Sequence, residues 1–291
     1  MVKHPELQKI FSALETPMRA DESINYTALR EVVEYQLSTG VEGFYCNGSS
    51  GEGLLLSLDE RKAVLETVLE QVNGRVPVIS HIGTIRAKDV IDLAQHAKAA
   101  GANAVSMIPP YYYKFSMDEI MSYYEAVVDA VPGIPAIIYN IPQFTGIEFS
   151  KANASRLLEN PGIIGVKHTS NNLYAMERMV TAYPDKILFN GFDEQFLSAL
   201  TAGATATIGT TVNCFAPLFL KVRALFGENR MAEAAAVQSD INHRVEEMCK
   251  VGIFNAVKYI LTKQGGMDCG SCRAPFKPLS DADKALLDRL L

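Results

Sequence analysis

Ile163-Ile164-Gly165-Val166-Lys167-His168-Thr169 opens with a short apolar run that leads into a lysine. An uninterrupted apolar run of this length describes a strand buried on both faces, as a parallel sheet requires. Seven more runs of the same kind lie along the chain. The expected strands are residues 10–14, 43–46, 76–81, 104–108, 136–139, 163–167, 187–190 and 204–208. Between them lie amphipathic stretches at 26–38, 58–72, 87–100, 117–131, 151–158, 173–183 and 196–202. Their apolar residues recur at three- and four-residue intervals, as in Val64, Val68 and Val72 or Ile91, Ala94 and Ala97, which is the helical period. Ser57 ahead of Leu58-Asp59-Glu60 forms a capping box, and Gly40 and Gly101 stand where helices would stop.

Eight strands separated by seven helices predict an α/β fold of the (β/α)8 TIM-barrel type, closed by one further helix. An open doubly wound sheet is the alternative, but its first βα turn should carry a glycine fingerprint, and none stands there. From Ala216 onward no stretch reads as strand. Helices are expected at 217–226, 231–249, 254–264 and 281–291. The chain therefore divides into a barrel over approximately residues 1–228 and a C-terminal helical extension over 229–291. No linker rich in Ser, Pro or Gly separates them, so both belong to a single unit.

Composition narrows the class of partner. The 291 residues are 48% hydrophobic and 21% charged, enough chain for a large core. Lys+Arg 27 against Asp+Glu 33 leaves a net charge of -6, which argues against nucleic acid. No run approaches the roughly 18 apolar residues of a membrane span. The opening Met1-Val2-Lys3-His4-Pro5 lacks the apolar core of a secretion signal. The five scattered cysteines are accordingly expected as reduced thiols in a cytoplasmic protein. Cys269-Gly270-Ser271-Cys272 has redox or half-zinc spacing, but no second pair accompanies it, and it is read as a turn with two thiols.

In such a barrel the chemistry sits where strands end and loops begin. Strand two runs into Asn47-Gly48-Ser49-Ser50-Gly51-Glu52-Gly53, whose small residues offer backbone N–H groups to a carboxylate or phosphate, or form a plain turn. Strand four runs into Pro109-Pro110-Tyr111-Tyr112-Tyr113, of which at most one or two phenols can face a site. Strand five ends in Tyr139-Asn140-Ile141-Pro142, where Tyr139 could shuttle a proton or make a structural hydrogen bond. Lys167 is the most informative residue. Led into the barrel mouth by apolar neighbours, its amine would lose hydration and become a nucleophile. The alternative is an ammonium that snorkels to solvent. His168 points the other way along the strand and is read as structural. Strand seven supplies Asn190-Gly191-Phe192-Asp193-Glu194, whose carboxylates suit sugar hydroxyls better than a metal; capping of a helix by Asp193 is the alternative. Strand eight supplies Gly209-Thr210-Thr211.

The loop Gly48-Ser49-Ser50-Gly51-Glu52, the turn Tyr139-Asn140-Ile141-Pro142 and the strand end Gly165-Val166-Lys167 together resemble the pyruvate-dependent class I aldolases. That family includes the N-acetylneuraminate lyases and the dihydrodipicolinate synthases. The resemblance runs through essentially the whole chain, to Cys272-Arg273-Ala274-Pro275-Phe276. It is nearer to the lyase branch in Tyr45, in Pro110-Tyr111-Tyr112-Tyr113 with Phe115-Ser116, in Lys167-His168-Thr169-Ser170 continuing into Leu173-Tyr174-Ala175-Met176-Glu177, and in Asn190-Gly191-Phe192-Asp193-Glu194. The synthase branch usually carries an arginine two residues after the Tyr-Asn-x-Pro proline, for a second carboxylate. Phe144, preceded by Gln143, stands here. Ser50 replaces the usual threonine of the lyase loop and Thr210 a frequent serine; both keep an oxygen.

The resemblance implies a sialic acid lyase that yields N-acetylmannosamine and pyruvate with neither metal nor organic cofactor. Lys167 would form a Schiff base with the ketone and Tyr139 would shuttle the proton. Ser49 and Ser50 would hold the carboxylate. Thr169, Gly191, Asp193, Glu194 and Thr210 would hold the sugar chain, with Tyr45 and Phe254 shaping the pocket. It also implies a homotetramer in which Tyr112 reaches a neighbouring subunit's site. Two other readings stay open at this point: an aldolase for a different 2-keto-3-deoxy sugar acid, and a barrel that binds keto acids without turning them over.

Overall fold

The computed structural model describes residues 3–291. Eight parallel strands form a closed barrel in sequence order: β1 (Ile10–Ala13), β2 (Gly43–Cys46), β3 (Val78–His81), β4 (Ala104–Met107), β5 (Ala136–Asn140), β6 (Ile163–His168), β7 (Ile187–Asn190) and β8 (Ala206–Gly209), with β8 pairing back onto β1. This is the expected (β/α)8 TIM barrel. Every strand residue is buried, because one face meets the barrel interior and the other the ring of helices.

The ring comprises α1 (Tyr26–Ser38), α2 (Leu58–Val72), α3 (Ala87–Ala100), α4 (Met117–Ala130), the single turn α5 (Pro142–Thr145), α6 (Lys151–Leu158), α7 (Leu173–Ala182), α8 (Phe196–Thr201) and α9 (Val212–Gly227). Then come α10 (Met231–Val251), α11 (Ile253–Gly265) and α12 (Asp281–Leu287). The Ser57 capping box is formed in both directions: Glu60 N–H donates to Ser57 Oγ at 3.2 Å and Ser57 N–H to Glu60 Oε2 at 2.7 Å. Gly101 ends α3 at φ +89°, in the left-handed region where a Cβ is costly.

The differences from expectation have local causes. β3 begins at Val78 rather than 76, since Pro77 has no N–H for the ladder. β6 runs one residue further than expected, to His168, and pairs with Asn140 at the end of β5. α5 was not expected; Pro142 starts it and Gly146, at φ +72°, stops it after one turn. α9 begins five residues before Pro217, where the helix was expected to start. Phe215 (φ -131°, ψ 28°) kinks it just ahead of the proline, whose missing N–H breaks the helical ladder.

Side chains inside the barrel form their own apolar cluster, including Phe11, Tyr45, Ile79, Ile137, Tyr139, Ile164, Phe189 and Ile208. A larger core lies between strands and helices and continues through Ile241, Met248, Val257 and Leu261 of α10 and α11. The tip of β6 therefore opens from a largely apolar interior, and α10 and α11 lie beside that opening.

Candidate active site

Strand alternation places Lys167 in the barrel interior. β5, β6 and β7 bring Tyr139, Lys167 and Phe189 side by side in register. Only 4% of Lys167 is exposed. Its Nζ stands 4.0 Å from the Tyr139 ring centre and 4.2 Å from that of Tyr45. No ion pair joins Lys167 to a carboxylate among the described residues. Burial favours the neutral amine, while Tyr139 and the more distant Asp193 pull toward the charged form. Contact with a ring face is worth about 2 kcal/mol when desolvated. Loss of hydration costs an ammonium several kcal/mol. Burial wins, and the pKa of Lys167 falls below the ordinary lysine value. The amine is therefore easier to free as a nucleophile.

The two phenols are held from below. Tyr45 donates to Ser106 Oγ at 3.1 Å and meets Tyr139 edge to face, with ring centres 6.2 Å apart. His81 packs against Tyr139 at 5.9 Å. Burial first, and then the charges of Arg61 and Lys167, keep that imidazole neutral. Tyr45 is fully buried beneath the lysine, so it shapes the floor of the site rather than its wall. His168 is structural as expected: Asn140 Nδ2 donates to its Nδ1 at 3.0 Å and its Nε2 donates to Asn172 O at 3.0 Å.

Above Lys167 and Tyr139 opens a cavity walled by Ser49, Ser50, Thr169 and Thr210, and by Gly191, Asp193, Glu194 and Phe254. Ser50 Oγ and Thr210 Oγ1 share a hydrogen bond of 2.8 Å, which joins the β2 and β8 loops. Glu52 and Gly53 N–H groups are used inside the loop, whereas those of Ser49 and Ser50 donate to no backbone carbonyl among the described residues. They are free for an anionic group, as a nest of amides would be. The loop does not abut a helix N-terminus, because α2 starts only at Leu58.

Asp193 divides its two oxygens. Oδ2 accepts from Thr211 N–H at 2.6 Å and from Thr211 Oγ1 at 2.7 Å, at the start of α9. Oδ1 is buried without a partner, as is Thr169 Oγ1. Capping and substrate contact are thus compatible in one carboxylate. Burial, only partly offset by Thr211, raises the Asp193 pKa to about 6. Gly191 is required by a close approach, since a Cβ there would lie 1.8 Å from Thr169 Oγ1. Two unpartnered buried oxygens in one wall are costly unless a ligand supplies donors.

Tyr112 lies apart from these residues. It is 85% exposed and held at φ +74°, outside the cavity of its own chain. The structure also adds wall residues that sequence reading passed over: Ile208 at the end of β8, Val245 and Cys249 from α10, and Ile253 beside Phe254. Gln143 and Phe144, read from sequence only as the place of a missing arginine, reach the mouth from α5. Behind the loop, Glu52 forms a fully buried ion pair with Lys258 of α11, and its second oxygen accepts from Arg273 N–H at 2.6 Å. This pins Glu52 at φ +56°, a backbone state that needs such support. Among the described residues, no group of three or more His, Cys, Asp or Glu side chains is placed to hold a metal ion.

Comparison with known proteins places this site in context. The sequence pattern of the dihydrodipicolinate synthetase family matches residues 6–291. An N-acetylneuraminate lyase of Rhizobium meliloti is 40% identical over 282 residues, covering 97% of this chain and 93% of that protein. Among solved structures, CdNal from Clostridium difficile in complex with mannosamine superposes with a TM-score of 0.94 at 33% identity, covering 97% of each chain. A catalytic lysine mutant of the Ruminococcus gnavus sialic acid aldolase gives a TM-score of 0.96 at 31% identity, covering 100% of this chain and 96% of that one.

Proposed function

The chain belongs to the dihydrodipicolinate synthetase family, and from that premise we propose that it is a carbon–carbon lyase, cleaving N-acetylneuraminate reversibly to N-acetylmannosamine and pyruvate through a Schiff base on Lys167. The observation that carries the reading is Lys167 itself: buried, unpaired with any carboxylate, its pKa lowered, and in register with Tyr139 below the cavity.

The free amine of Lys167 adds to the C2 ketone, and loss of water leaves an iminium. Breakage of the C3–C4 bond sends its electron pair toward that nitrogen as an enamine, while Tyr139 takes the proton of the C4 hydroxyl. N-acetylmannosamine departs as the aldehyde. The enamine takes up a proton at C3, and hydrolysis of the imine returns Lys167 and pyruvate. The substrate carboxylate lies against the amides and hydroxyls of Ser49 and Ser50. Its hydroxyls supply donors to Asp193 Oδ1 and to Thr169, with Glu194, Thr210 and the open edge at Gly191 along the sugar, and Phe254 closing the pocket. No resident cofactor is assigned to this chemistry.

The same reading has the chain working in the cytoplasm as a homotetramer, with Tyr112 reaching into a neighbouring subunit's site. Tyr112, Tyr113, Phe144 and Tyr174 are large and exposed, which suits a surface covered by another copy. Light scattering on the purified protein checks the assembly; a monomer overturns it.

The test of function is pyruvate release from N-acetylneuraminate, followed by borohydride reduction and peptide mapping. Pyruvate together with a reduced adduct on Lys167 is the expected result. An adduct from added pyruvate without cleavage of sialic acid keeps the class and overturns the substrate. Absence of any adduct overturns the role of Lys167.

A further inference from the structure

Four of the five cysteines are buried; Cys249 alone is exposed, and it stands in the wall of the cavity. Its helix is fixed against the site at a distance. Gln238 Nε2 donates to Asp193 O at 3.0 Å and Gln238 Oε1 accepts from Leu197 N–H at 2.9 Å. Eleven residues make close to three helical turns, so positions 238 and 249 share one face of α10, with Val245 one turn before Cys249. The Gln238 contacts, together with the packing of α10 on α9 and α11, hold the face that carries Val245 and Cys249 against the cavity. The unpartnered oxygens Asp193 Oδ1 and Thr169 Oγ1, both on residues more than nine-tenths buried, belong to the same cavity and call for a ligand beside this face.

We propose that Cys249 is a specificity-determining residue, its side chain bounding the room for the end of the sugar acid farthest from the carbon bonded to Lys167. The inference rests on the aldolase reading above. Lys167 lies inside the barrel, whereas Cys249 comes from the helices that follow it, so the cavity runs from the reacting carbon outward to the thiol. Its carboxylate neighbours Glu194 and Asp193, after burial, hold the thiol above its ordinary pKa. A thiol kept protonated is a poor nucleophile, so its part is steric: a small, polarisable side chain against the substrate.

Two measurements test this on the full chain. Cys249→Leu fills the outer end of the cavity. It should lower kcat/KM for N-acetylneuraminate at least tenfold, while the half-saturation for borohydride trapping of pyruvate on Lys167 changes less than twofold. Equal loss in both, or no change in either, overturns the assignment. Independently, the wild-type thiol should react with N-ethylmaleimide at least fivefold more slowly when N-acetylmannosamine and pyruvate are both present than with pyruvate alone. No difference between those two conditions overturns it without any variant. A wild type that traps pyruvate yet cleaves no N-acetylneuraminate overturns the substrate reading and this inference together; one that cleaves it while Cys249→Leu stays unaffected overturns the inference alone.

Discussion

Two lysines are buried among the described residues, and their surroundings are opposite. Lys258 of α11 is fully enclosed and paired with the carboxylate of Glu52. Lys167 of β6 is nearly as enclosed but meets two aromatic faces in place of an anion. A buried lysine–carboxylate pair ties its neighbourhood together, because removing either partner leaves the other enclosed without compensation. A buried lysine with only ring faces is easier to deprotonate and so can react. Glu15, beside the Lys258 pair, extends the contrast: both its oxygens lack partners, and burial, opposed by Lys258 and reinforced by Glu52, holds its pKa well above the ordinary carboxylate value. A counter-ion stands where the fold has a buried strut, and none stands beside the lysine proposed as the nucleophile.

The comparison breaks most sharply at Lys167→Ala. Turnover should fall by about four orders of magnitude or more, the scale of losing a covalent step, with the adduct gone and the thermal transition kept. Appreciable lyase activity in that protein would defeat the Schiff-base assignment. Lys258→Met should do the reverse, leaving Glu52 buried without its cation at a cost of about 3–5 kcal/mol in stability while folded protein still forms the adduct. Adding Glu52→Gln should recover part of that loss in urea unfolding, and strict additivity of the two changes would refute the pairing.

Tyr139→Phe should lower kcat about 100- to 1000-fold with little change in KM, because the proton transfer belongs to the transition state. An effect confined to KM would demote Tyr139 to binding. The smallest effect is expected at Asp193, whose folded pKa of about 6 lies above the ordinary carboxylate value. The folded state then binds the extra proton at acid pH, so this group's contribution to stability declines as pH rises through roughly 4 to 6 and stays low above. Asp193→Asn should therefore raise stability at pH 7.5 by about 1–3 kcal/mol, from two pK units at about 1.4 kcal/mol each less the weakened contact to Thr211. The gain should shrink toward pH 4, while activity falls. A gain that grows on acidification would reverse the sign of the argument.

Much of this arrangement was legible along the chain. The run to Lys167, the turn after Tyr139 and the serine loop after β2 each announce themselves locally, because strand periodicity and the C-terminal rule of parallel barrels depend on near neighbours. The kink of α9 was less legible: Pro217 marks a helix start or a helix break, and only packing chooses between them. Tyr112 shows the limit from another side. Its three-tyrosine run says nothing of which phenol faces a site, and the left-handed backbone turns this one outward.

By itself, the sequence determined the number and order of the strands, the order of every helix longer than a single turn, the parallel barrel they close, and the strand ends at which Lys167, Tyr139, Ser49 and Asp193 would appear. These follow from periodicity and chain connectivity, which act over a few residues. Tertiary structure alone decided the electrical state of Lys167 and Asp193 and the shape of the space above them. The unequal surroundings of the two Asp193 oxygens depend on Thr211, 18 residues away. The support of Glu52 depends on Lys258, 206 residues away, and Cys249 meets the cavity from α10, which Gln238 joins to the backbone of Asp193. Burial and pairing are properties of which surfaces meet, and residues that distant in the chain acquire them only when the barrel closes and the last helices settle beside it.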